Sequence, residues 1–164
     1  MTREMLRARI HGLALDITSK SPVVILASEK TDKVLPIWIG HFEAWAIAME
    51  LSQIKSKRPL THDLIPAFLT ALAGTVEKVE VTELKDQTFY ARIYVSHDGE
   101  VQEIDARPSD SIAIALKTGA PIFVAAELFA IGEEEGLPER INDPESLKER
   151  LRSINPEDFG RYSL

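Results

Sequence analysis

Apolar residues recur with period two at Leu6, Ala8 and Ile10 and then at Leu13, Leu15 and Ile17, and the phase slips at Gly12. That pattern predicts a strand over residues 6–18 with a bulge at the glycine. Ser19–Pro22 reads as a turn, Val23–Ala27 as a short buried strand, residues 29–33 as a polar hairpin loop and Val34–Ile39 as a third strand. Links this short favour an antiparallel meander. After Gly40 the period lengthens. A helix is expected over His41–Lys55, where Phe42, Trp45, Ala46, Ile47, Met49, Leu51 and Ile54 leave little polar surface. A helix apolar nearly all round is expected to be buried or to lie at an interface. A second helix runs from Thr61 or Asp63 to about Ala73, with Leu64, Phe68 and Leu72, flanked by Ile65 and Leu69, as its expected core stripe.

Period two returns in three strands, Val76–Leu84, Thr88–Ser96 and Glu100–Asp105, joined by turns at residues 85–87 and 97–99. A corner at Arg107-Pro108 follows, then a mostly apolar helix over Asp110–Thr118, stopped by Gly119. Proline fits a helix start, and glycine fits the left-handed position after a helix end. A last short strand, Ile122–Val124, and a helical turn over Glu127–Ile131 complete the pattern. The fold class expected is α+β: mostly antiparallel sheet with helices packed against it, in a single compact domain over residues 1–131. Past that point the composition shifts. Residues 132–164 read as an acidic linker and a short helical appendage, with Asp143 and Pro144 opening a helix over Pro144–Ile154.

Composition changes the picture in three ways. With 45% hydrophobic residues the chain can bury a real core, yet no run approaches the ~20 apolar residues that a membrane span needs. It has no cysteine, which excludes disulfides and thiolate metal sites and, with an N-terminus lacking an apolar signal core, fits a cytoplasmic protein with no membrane partner. Scarce Asn and Gln point to a hot habitat. The net charge of −7 counts against a sequence-independent nucleic-acid binder. Nine acids and five bases of residues 131–164 account for −4 of it, so the rest is only mildly acidic. Lys55, Lys57 and Arg58 form the one clear basic cluster.

Two polar corners concentrate the chemistry. Arg58-Pro59 precedes Thr61, His62 and Asp63, and Arg107-Pro108 precedes Ser109 and Asp110, with Asp105 just upstream. Each puts a guanidinium and an acid at a helix start, where free N–H groups and the helix dipole favour anions. One reading is local: Ser109, Asp110, Thr61 and Asp63 cap helices, and the arginines pair with acids. The other brings both helix starts to one pocket. Asp105, Asp110, His62 and Asp63 would then be the catalytic groups, and Glu43, Asp105 and Asp110 would hold a divalent ion, magnesium or manganese. Arg58, Arg107 and Ser109 would bind phosphate. Glu43 and Glu50, seven residues apart on the first helix, share one stripe. No glycine-rich phosphate loop or metalloprotease helix narrows the choice.

Three runs add a resemblance. They are Leu35-Pro36-Ile37-Trp38-Ile39-Gly40 followed by Glu43-Ala44 and Ala46-Ile47, then Arg58-Pro59-Leu60-Thr61-His62-Asp63-Leu64, and then Ile104-Asp105-Ala106-Arg107-Pro108-Ser109-Asp110-Ser111-Ile112-Ala113. In this order the chain resembles the bifunctional nuclease domain family over roughly residues 5 to 130. The resemblance implies a compact α+β domain that cuts DNA and RNA, and it favours Glu43 over Glu50 as a pocket residue. The expected function is thus metal-assisted phosphodiester hydrolysis on a DNA or RNA substrate. The alternative from the residues alone is a non-enzymatic oligomeric module that binds a partner or small anion. A homodimer is expected, because one small sheet leaves the apolar first helix and Trp45 short of cover.

Overall fold

A computed structural model of the chain describes residues 2–16 and 18–135. Three strands, β1 (Met5–Leu15), β2 (Pro22–Ser28) and β3 (Val34–Trp38), are followed by helices α1 (His41–Leu51) and α2 (Thr61–Ala71). Strands β4 (Thr75–Lys85), β5 (Thr88–His97) and β6 (Glu100–Ala106) come next, then α3 (Pro108–Thr118), β7 (Ile122–Ala125) and α4 (Leu128–Glu135). All seven strands form one sheet in the order β3-β2-β1-β7-β4-β5-β6. The expected α+β architecture is present, as two antiparallel meanders joined through β7.

The joint is the least local part of the fold. β7 pairs antiparallel with β1, Leu6 opposite Val124, and parallel with β4, Val81 opposite Val124. A four-residue strand paired on both edges offers its backbone groups partners in two directions and buries Ile122, Val124 and Ala125. In β1 the register shifts between Ile10 and Gly12, the bulge that the phase slip predicts. The strand ends at Leu15 rather than near residue 18, because the Asp16 carboxylate accepts the amides of Thr18 and Ser19 and turns the chain. Ile17 lies outside the described residues, as do residues 136–164, which include the helix expected over Pro144–Ile154. The helix expected as a turn over 127–131 instead carries on to Glu135.

Helices α1, α3 and α4 pack on one face of the sheet and share its core. Ile47 of α1, Ile112–Ala115 of α3 and Leu128 and Phe129 of α4 lie buried with Val24, Leu26, Leu35, Ile37, Val79, Val81 and Ile93. Because strand side chains alternate, the intervening residues Lys78, Glu80, Thr82, Arg92, Tyr94 and Glu103 point to the opposite face. There they line a concavity of about 500 Å³. The ammonium of Lys78 sits 4.4 Å from the Tyr94 ring centroid and 2.5 Å from a Glu80 carboxylate oxygen. Burial, then the bond that Tyr94 donates to Glu80, pushes the Tyr94 phenol up to about 12.

Two helices depart from expectation. α1 stops at Leu51 instead of Lys55, where Ser52 closes the last turn and Gln53 takes a positive φ of 56°. α2 has the expected apolar stripe, yet none of its residues is buried, and Leu64, Phe68 and Leu72 are exposed. It rests against α3, and Leu69 is the side chain that it adds at the margin of the core. Periodicity shows which face is apolar; it does not show whether anything lies against that face.

Candidate active site

The beginnings of α2 and α3, distant in sequence, meet. His62 Nε2 lies 2.8 Å from Asp110 Oδ1. With Asp110 ionised, Nε2 is the donor, so the bond assigns a proton to Nε2. Arg107, the residue before α3, completes the group. Its Nε donates to Asp110 Oδ2 and its Nη2 to Glu43 Oε1 on α1, each at 2.7 Å. Glu43 sits at this point because it folds back over Gly40. A Cβ on that residue would strike the Glu43 carboxylate, so the glycine keeps space open for a charged side chain.

A second cluster lies two helical turns away. Lys117 of α3 donates to Glu50 of α1 at 2.6 Å and to Asp63 of α2 at 2.5 Å. Glu43 and Glu50 are seven residues apart on α1, and Asp110 and Lys117 are seven apart on α3. The two helices therefore run side by side in the same direction, with one ionic group at each end of the contact. The start of α2 bridges them, His62 reaching one cluster and Asp63 the other. Asp63 also accepts the Leu60 amide and so holds the first turn of α2.

Between these helices and the loop from Ile54 to Leu60 lies a cavity of about 860 Å³. Its apolar lining includes Ala46, Met49, Leu60 and the exposed Ile65, and its charged lining comprises Glu43, Glu50, His62, Asp63, Arg107, Asp110 and Lys117 with two loop lysines. Lys55 and Lys57 stand at the loop side. A large, mostly apolar concavity with a few convergent charged groups has the form of a ligand site.

The structure brings together Glu43, His62, Asp63, Arg107 and Asp110 and leaves three expected residues out. Asp105 is exposed on β6, opposite Arg92 in the register, and points to the face of the sheet away from the cavity. Strand alternation causes this: its neighbour Ala106 turns toward the helices, so Asp105 turns away. The trio Glu43, Asp105 and Asp110 consequently does not assemble around one point. Ser109 is buried at 6% exposure and does not line the cavity. Arg58 is exposed and also lies outside the lining, with its backbone carbonyl accepting the Ser56 hydroxyl. Neither Ser109 nor Asp110 caps α3. The helix begins at Pro108 with Arg107 as its N-cap and no side-chain cap, which frees the Asp110 carboxylate to reach across to His62. Glu50 and Lys117 are cavity residues that the corners do not reveal. The shared seven-residue spacing is the only sequence trace of them.

Asp110 and Asp63 are held toward their ionised forms. Burial raises the Asp110 carboxyl, but bonds from Arg107 and His62 outweigh it and the group titrates below the ordinary aspartate value. For Asp63, burial is likewise outweighed by the Lys117 bond and the Leu60 amide. Lys117, against its own burial, is raised by Asp63 and Glu50. The signs set a stability window. Depressed carboxyls contribute at pH above their unfolded value, about 3.9, and the contribution is lost as pH falls through the lower folded value. A raised lysine contributes below its unfolded value, about 10.4, and is lost as pH rises through the higher folded one. Thermal melts are expected to show a plateau from about pH 4 to 10, falling at both ends. A Tm that drops steadily between pH 8 and 5 would contradict these charge assignments.

A helix-backed, mostly antiparallel sheet with a charged cavity at two helix starts defines a class of compact α+β domain. The family model described as the bifunctional nuclease domain matches residues 24–135. The chain belongs to that family. It is 38% identical over 160 residues to an uncharacterized protein of Mycobacterium tuberculosis (strain ATCC 25618 / H37Rv), covering 92% of this chain and 96% of that one. It is also similar to Bifunctional nuclease 1 of Oryza sativa subsp. japonica, 27% identical over 105 residues, and to Bifunctional nuclease 1 of Arabidopsis thaliana, 26% identical over 107. These matches cover 62% and 63% of this chain and 32% and 33% of the plant proteins, so the chain spans about a third of their length.

Proposed function

We propose that the protein is a nuclease that hydrolyses phosphodiester bonds of DNA and RNA in the cytoplasm, and that it works as a homodimer. The observation that carries this reading is the meeting of His62, Asp110, Arg107 and Glu43 at one end of the cavity. Asp110 orients the His62 imidazole in the manner of a general base and its anchor. In the reaction a water oxygen bonds to phosphorus as the ester P–O bond breaks. His62 accepts the water proton, and the departing oxygen takes a proton from solvent. Arg107, with Nη1 uncommitted to the Glu43 and Asp110 bonds, faces the charge that develops on the phosphoryl oxygens. Lys55 and Lys57, on the loop side, supply the positive field for the adjoining strand. No helix among the described residues is long and apolar enough to cross a membrane.

The expected divalent ion meets a donor set that is already engaged. Among the described residues no three His, Asp or Glu side chains converge as a metal site, and Glu43 and Asp110 are spanned by Arg107 instead. Magnesium or manganese would bind at Glu43 and Asp110 only by displacing the Arg107 guanidinium that now spans them. Purified protein is incubated with plasmid, single-stranded DNA and RNA, with each ion and with a chelator. Cleavage above a mock preparation supports the nuclease reading, and its loss in chelator supports the ion. The mutual pairing of the charges favours a second reading, a non-enzymatic module in which the clusters only clasp three helices. No cleavage under any condition would select that reading.

A further inference from the structure

We infer that the exposed face of α2 is the surface on which a second copy of this chain docks, about a two-fold axis passing near Phe68. The inference deepens the dimer named above but moves its interface from α1, whose Ala44, Ala46, Ile47, Ala48 and Met49 are buried within the chain, to α2; its test does not depend on nuclease activity. Phe68 and Leu72 are 65% and 67% exposed, and Leu64 and Ile65 are 43% and 39%. From Leu64 to Val76 the chain has no charged residue. Water-facing helices ordinarily place charges on such a face. Nothing on α2 is buried in the described structure, and an 11-residue helix has little stability of its own. Its ties to the body are ionic pairs at one end and Leu69 at the core margin.

Area and shape point to a copy of the same chain. Given the 150–250 Å² of an aromatic side chain, the four residues expose on the order of 400–500 Å² of apolar surface. A standard interface takes about 800 Å² from each partner, a little over half of it non-polar. The patch therefore matches the apolar centre of one such interface. The absence of charge gives nothing with which to steer or select a different protein. The row is also self-complementary. Leu64, Phe68 and Leu72 are evenly spaced four residues apart, so two antiparallel α2 helices meet Phe68 to Phe68, with each Leu64 against the other copy's Leu72. Docking there holds the start of α2, and with it His62, against α3.

Light scattering on the full chain, without substrate, tests this directly. The wild type is expected at twice 18.3 kDa at micromolar concentration, and Phe68→Glu and Phe68→Lys each at 18.3 kDa with unchanged circular dichroism. Mixing the two variants is expected to restore the doubled mass, because the residues face each other across the axis. A Val101→Glu control, on the exposed edge strand, is expected to stay dimeric. A wild type at 18.3 kDa overturns the inference and leaves the stripe to another partner. A dimer that survives Phe68→Glu, or breaks with Val101→Glu, also overturns it. Should the Phe68 variants unfold, Leu72→Glu and Leu72→Lys serve as the pair; singly they are expected at 18.3 kDa and fail to re-pair when mixed, since Leu72 faces Leu64. None of these masses bears on whether the protein cuts nucleic acid.

Discussion

Asp110→Asn is expected to lower phosphodiester cleavage by two to three orders of magnitude while the protein stays folded. The substitution keeps the side chain's size and removes the charge that holds His62 on one side and Arg107 on the other. General acid–base groups contribute typically 10²–10⁴-fold, and an amide in place of the anchoring carboxylate no longer specifies which ring nitrogen carries the proton. Asp105→Asn is the matched control. Asp105 lies five residues away in the same run yet on the opposite face of the sheet, so its variant is expected to cut at the wild-type rate. Initial rates on one labelled oligonucleotide, across pH 5–9, compare the pair. Equal loss in both variants, or loss in Asp105→Asn alone, would remove the cavity from the mechanism.

Lys117→Met is expected to cost about 2–3 kcal/mol, a fall in Tm of roughly 4–12 °C for a chain of this size. Its ammonium, with the side chain 11% exposed, is the shared counterion of Glu50 and Asp63. Removing it leaves two carboxylates facing each other with their one common donor gone. Breaking a fully buried pair costs more, about 3–5 kcal/mol, but these carboxylates are about a third exposed and water recovers part of the loss. Adding Glu50→Gln and Asp63→Asn is expected to restore most of the stability, because the repulsion goes with the charges. Denaturant titrations of the single and triple variants measure it. A loss below about 0.5 kcal/mol in Lys117→Met would mean that the cluster is solvated and holds nothing together.

Both predictions turn on the difference between neighbourhood in sequence and neighbourhood in space. Asp105, Ser109 and Asp110 belong to one short run, and only Asp110 reaches the cavity. A strand sends alternate residues to opposite faces, and a helix turns its residues by about 100° each, so three polar residues of one six-residue run leave it in three directions. Lys117 shows the converse. It lies in no polar corner and looks like an ordinary basic residue in the last turn of a helix, yet it links three helices.

Local pattern alone determined much of this protein: the strands and their turns, the bulge at Gly12, the helix stop at Gly119 and the α+β class. Each follows from side-chain period or from the backbone freedom of single residues. The meeting of the two helix starts, too, was foreshadowed by their shared composition. Tertiary structure alone decided where β7 inserts, which carboxylates look into the cavity, that Arg107 binds two of them, and that the stripe of α2 is left facing outward. Those outcomes depend on which surfaces come to lie against one another, and a period along the chain records only that a face is apolar or charged.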